Sequence, residues 1–204
     1  METTNTMTKQ ALIQQGLANG QTYQEYRNLV ANLLEQDQST GHVQSEALTN
    51  YSMLNDRRMK RLDKTIKIDS EIAQKVADAK TNVTWLVLTE GWCGDAAHAL
   101  PVINKLAALN DGIDLKIILR DDHDELMNHF LTNGGKAIPK LIAIDNTTNE
   151  IVNTWGPRPS IATKMVQEYK AEHGALDPEF KQDLQMWYNK NKGANISEDL
   201  AGLI

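Results

Sequence analysis

Apolar residues fall on two different periods along this chain. Between residues 22 and 36 they recur at Tyr23, Tyr26, Leu29, Val30, Leu33 and Leu34, the spacing of one helix face. A polar, glycine-containing break, QDQSTGHVQS, follows. Glu46 to Arg61 then reads as a second helix, with Leu48, Tyr51, Met53, Leu54 and the following Leu62 roughly on one side. Asp69 or Ser70 is placed to cap a third short helix, IAQKVADA. The first eighty residues contain no proline and read as helical.

After residue 80 the pattern changes. VTWLVLT (83–89) and IDLKIIL (113–119) are short, apolar and rich in β-branched residues, as buried strands are. KLIAID (140–145) and IVNTW (151–155) add two more, joined by DNTTNE at hairpin spacing. Helices are predicted over 95–110 and over 124–132, the second stopped by Asn133-Gly134-Gly135. Another is predicted from a Ser160 cap to Gly174, and one more from Asp177-Pro178, by the cap-then-proline rule. The tail NKGANISEDLAGLI has no clear period. The order from residue 83 is β-α-β-α-β-β-α. A βαβ unit followed by a hairpin implies an α/β fold with a mixed four-stranded sheet and flanking helices.

Composition narrows the partners. The 204 residues carry a net charge of −6, which argues against broad nucleic-acid or anionic-membrane affinity. No run approaches a membrane span, and the N-terminal stretch has neither the basic nor the apolar region of a signal peptide. A single cysteine excludes an intramolecular disulfide and leaves a free thiol. A cytoplasmic location is the expectation. The basic run DRRMKR (56–61) reads first as a solvated helix face, and second as a surface for an acidic partner.

That cysteine, Cys93, lies in TEGWCGDAAHALP, just past the first strand. Trp92-Cys93-Gly94 matches the start of the WCGPC signature, and Pro101 stands eight residues after the cysteine. Ile138-Pro139 precedes the third strand, and Gly156 follows the fourth. In these motifs the chain resembles the thioredoxin-like family, in a bacterial branch. The resemblance implies a thioredoxin-like core at 81–174, a helical N-terminal extension at 1–80, and an extra C-terminal helix with its tail at 175–204. It also implies a cis Pro139 beside the cysteine, and a groove lined by Gly156 that takes a protein or thiol substrate.

The chain departs from that pattern in three places. Asp95 replaces the motif's proline. Ala96 replaces the resolving cysteine, so a mixed disulfide on Cys93 has no internal thiol to release it. Val87 stands where thioredoxins bury an aspartate. A helix N-terminus favours the Cys93 thiolate, whereas Asp95 and Glu90 disfavour it. Arg158 tips the balance toward the thiolate if it reaches the groove, but reads first as a surface charge. His98 sits about 140° around the helix from Cys93 and reads as solvent-facing or groove-edge. The remaining histidines show no metal-ligand spacing. The run Asp121-Asp122-His123-Asp124 reads as a solvated turn with a helix cap.

Two functions compete, and the first is the leading expectation. In the first, Cys93 works as a monothiol in thiol–disulfide exchange, forming a mixed disulfide with a protein or with a small thiol such as glutathione, with no other cofactor and no metal. In the second, the fold is a redox-inactive peptide-binding or scaffold module, in which the basic helix holds a partner or a second copy in a homo-oligomer. A one-cysteine peroxidase is disfavoured, because Glu90 stands where that chemistry needs a threonine.

Overall fold

The computed structural model describes residues 7–204. Four strands, β1 (Val83–Thr89), β2 (Ile113–Leu119), β3 (Lys140–Asp145) and β4 (Ile151–Trp155), form one sheet in the order β2-β1-β3-β4. β1 runs parallel to β2 and antiparallel to β3, and β3 pairs antiparallel with β4. Every residue of β1 is buried, as a central strand covered on both faces requires. The β3–β4 turn is set locally: the Asp145 carboxylate accepts the N–H groups of Thr147 and Thr148, and Asn149 takes a left-handed conformation. This is the mixed α/β architecture expected from the strand pattern.

The helices before the sheet are α1 (Lys9–Asn19), α2 (Tyr23–Leu34), α3 (Glu46–Thr65) and α4 (Ser70–Asp78). Thr22 and Glu25 form a capping box on α2, and Asp69 caps α4. α3 runs four residues beyond Arg61, because Leu62 and Ile66 continue its buried stripe. The chain then adds a two-way backbone bridge between Gln21 and Ile117 on the outer side of β2.

α5 (Gly94–Ala107) follows β1, with Pro101 buried inside it. The helix predicted over 124–132 is a correction. A 3-10 turn at Asp121–His123 leads into a single turn of helix, α6 (Asp124–Met127), because Thr132 and Gly135 already exchange hydrogen bonds in a tight turn. No side chain of the acidic run caps α6.

α7 (Ser160–His173) closes at Gly174 in a positive-φ conformation. Ser160 is its first residue rather than its cap. The orphan N–H groups of Ser160 and Ile161 are instead taken by Asp199 and Asn195 from another helix. That helix is α9 (Ala194–Ala201), formed by the tail, with Ile196 and Leu200 buried and its length packed on α5. α8 (Pro178–Asn191) lies between them and is capped by Asp177. Among the described residues, no helix is long and apolar enough to cross a membrane.

Candidate functional site around Cys93

Three distant segments meet at Cys93. The residue caps α5, its sulfur accepting the Ala96 N–H at 3.5 Å, and its S–H points at the Ile138 carbonyl at 3.3 Å. The Ile138–Pro139 bond is cis. Gly156, at φ +107°, presses against the same loop: a Cβ there would stand 2.1 Å from the Pro139 carbonyl oxygen. Only glycine fits, because both the backbone angle and the space exclude a side chain.

The cysteine is largely buried. Cys93 is 8% exposed, and Ala96 is buried beside it. Burial first, and the Asp95 carboxylate second, push the thiol up to about 12. The helix-terminal N–H groups and Arg158 pull the other way and do not offset them. Val87 is buried and brings no acid.

Arg158 does reach the site, but its charge is committed: its guanidinium pairs with Asp95 at 2.8 Å. Tyr188 of α8 donates to the other Asp95 oxygen at 2.9 Å. The two residues expected to oppose one another at the thiol therefore largely neutralise one another. Burial still holds the Asp95 carboxyl above its ordinary range. Glu90 is fully buried and accepts the Asp121 N–H, and burial pushes its carboxyl up as well.

His98 corrects the sequence reading. It is buried, stacked on the Tyr188 ring at 4.4 Å and 4°, and bonded to the Gln185 carboxamide oxygen at 3.0 Å. Its place on α5 faces α8, an element that sequence spacing around Cys93 does not reveal. Burial pushes its pKa down to about 4.

Sequence reasoning also missed the residues that hold the motif turn from outside it. Thr40 accepts the Gly91 N–H at 2.7 Å, and the Asn55 amide donates to the Gly91 carbonyl at 3.0 Å. Asn55 in turn accepts from Arg58 at 3.0 Å. Both backbone groups of the residue before Trp92 are thus tied to the loop before α3 and to α3 itself. Trp92 lies half-buried with the Arg120 guanidinium 4.9 Å above its ring. The sequence hid these partners: Thr40 lies in the loop before α3, and the buried face of α3 is polar at Thr49, Ser52, Asn55 and Asp56, whereas the apolar Tyr51, Met53 and Leu54 read as its packing side are exposed. Of the basic run, Arg58 is half-buried beside the site, whereas Arg57, Lys60 and Arg61 are exposed.

Beside the motif lies a groove of about 410 Å³. α3 and α8 form its walls, while Trp92, Gly94, Asp95 and Arg158 form its base. Cys93 does not line it. Among the described residues, no cluster of three or more His, Cys, Asp or Glu side chains is placed to hold a metal ion.

A family model described as Thioredoxin matches residues 41–170, well over half the chain and including α3. No curated protein matches the sequence. The fold is similar to the crystal structure of a protein of unknown function from Pseudomonas aeruginosa, at 16% identity and a TM-score of 0.56, over 90% of this chain and 91% of that one. It is also similar to an HIV epitope-scaffold, at 15% identity and a TM-score of 0.55, over 85% and 95% of the two chains. Those two likenesses speak to the fold alone. With the family match, the sheet order, and Trp92-Cys93-Gly94 meeting Ile138-Pro139 at the head of α5, this chain belongs to the thioredoxin family.

Proposed function

We propose that this chain is a thioredoxin-fold binding module whose Cys93 stays a protonated thiol at neutral pH. One observation carries the reading: the sulfur is buried, with its proton directed at the Ile138 carbonyl. Exchange needs a thiolate that can reach a disulfide. A thiol pushed up to about 12 by burial and by Asp95 stays protonated at pH 7. With no second cysteine in the chain, a mixed disulfide would also wait for an external thiol.

The other reading is monothiol exchange through Cys93 with a protein or with glutathione. It has one observation in its favour: Cys93 caps a fourteen-residue helix and accepts its Ala96 N–H, the placement that favours an attacking sulfur. Insulin reduction with dithiothreitol, run beside a glutathione-dependent disulfide reduction assay, separates the two. The binding-module reading expects neither rate to rise above the uncatalysed control. A glutathione-dependent rate that Cys93→Ser abolishes would establish monothiol exchange instead.

A further inference from the structure

The groove between α3 and α8 opens beside the motif turn without Cys93 in its lining. Its walls are apolar: Leu48, Tyr51 and Leu54 on one side, Leu176 and Leu184 on the other. Tyr51 is 58% exposed and Leu54 44%, so large apolar surface is left facing solvent there.

The floor is polar and cationic. At Gly94 a Cβ would stand 3.7 Å from both Arg58 Nη1, which also donates to Asn55, and Gln185 Nε2, so two side-chain nitrogens border the space over this glycine. Arg158 is already neutralised by Asp95. Among the described residues, neither Arg58 nor Lys181 forms an ion pair. The groove is thus locally positive in a chain of net charge −6. Burial pushes the Arg58 pKa down, the mark of a cation without a counter-charge.

We propose that this groove binds a small organic carboxylate with an apolar body, its head between Arg58 and Gln185 and its tail between α3 and α8. A guanidinium beside an amide N–H suits the two oxygens of a carboxylate. The groove's size lies near the lower end of small-ligand sites, roughly 300–1,000 Å³, which favours a small molecule over a peptide strand. The proposal rests on the binding-module reading and adds the ligand class.

Isothermal titration calorimetry with octanoate and with 1-octanol tests it. Octanoate is expected to bind saturably at one site, about tenfold or more tighter than the alcohol, with an affinity that falls as salt rises. Arg58→Gln is expected to weaken octanoate about tenfold, while Cys93→Ser leaves it unchanged. Lys181→Gln, at an exposed position of α8, is expected to weaken it severalfold, and it serves as the test should Arg58→Gln unfold the chain. Equal affinities for octanoate and octanol would overturn the proposal. So would octanoate binding indifferent to both charge variants, or no saturation by about 10 mM. Saturable binding of acetyl-Leu-Leu-Asp without binding of octanoate would overturn it in favour of an acidic peptide. Fast alkylation of Cys93 in the folded protein would remove the redox-silent reading and leave the ligand class standing. A silent thiol without octanoate binding would do the reverse.

Discussion

Asp95 stands in the first turn of α5 between a cation and a thiol. Its carboxylate pairs with Arg158, and its charge is the second cause, after burial, of the high Cys93 pKa. Asp95→Asn keeps the shape and the Tyr188 contact but removes that charge, and it frees Arg158 to act on the sulfur. The alkylation midpoint of Cys93 is expected to move to lower pH in this variant, and an unchanged midpoint would refute the electrostatic role given to Asp95. The cost to the fold is roughly 1–3 kcal/mol, below that of breaking a fully buried pair, because Arg158 keeps partial access to water.

His98 carries a second prediction at this scale. Burial holds its folded pKa near 4, against 6.5 ordinarily. The folded state therefore binds fewer protons than the unfolded chain between those values. The stability it contributes is complete above about pH 6.5 and is lost as pH falls toward about 4. His98→Phe keeps a ring against Tyr188 and removes the titration. Urea midpoints of the unsubstituted chain should fall more steeply over that window than those of the variant, and parallel slopes would contradict the assignment.

At the level of elements, the motif turn is held by pieces far from it in sequence. Gly156 lets the end of β4 close against Pro139, and Gly156→Ala forces a side chain into a carbonyl oxygen. A loss of roughly 2–4 kcal/mol is expected by chemical denaturation, together with faster alkylation of Cys93 as the loop withdraws. The loop before α3 holds the other side. Thr40→Val keeps the volume and leaves the Gly91 N–H buried without an acceptor, at a cost of about 1–3 kcal/mol. Native-state hydrogen exchange at the Gly91 amide reads this directly: faster exchange is expected, and unaltered exchange would show that the bond holds nothing.

Much of this was legible in the chain itself. All four strands, the βαβ-hairpin order and the meeting of Trp92-Cys93-Gly94 with Ile138-Pro139 followed from apolar runs, turn residues and the family motif. Where prediction failed, the cause was tertiary. α6 stops short because the Thr132–Gly135 turn takes its residues, and the tail forms α9 only by burying Ile196 and Leu200. Ser160 yields its capping role to Asp199. His98 looked exposed because its cover, Tyr188 and Gln185, lies about ninety residues away.

On the scale of the whole molecule, helices from both sides of the sheet in sequence enclose the turn at Cys93. α3 and the loop before it fix Gly91, and α8 covers Asp95 and His98. Arg61 of α3 donates to Asn189 of α8 at 2.7 Å, joining the two walls of the groove. The result is a thioredoxin fold with its one thiol buried and a cationic, apolar-walled groove open beside it. The measurement that bears most directly on this account is the pH dependence of Cys93 alkylation by iodoacetamide, in the folded chain and in urea. In urea the midpoint should lie near the ordinary thiol value of about 9, and in the folded chain the thiol should stay unmodified until well above it. A folded-state midpoint below about 8.5 would mean an activated nucleophile and would contradict the account.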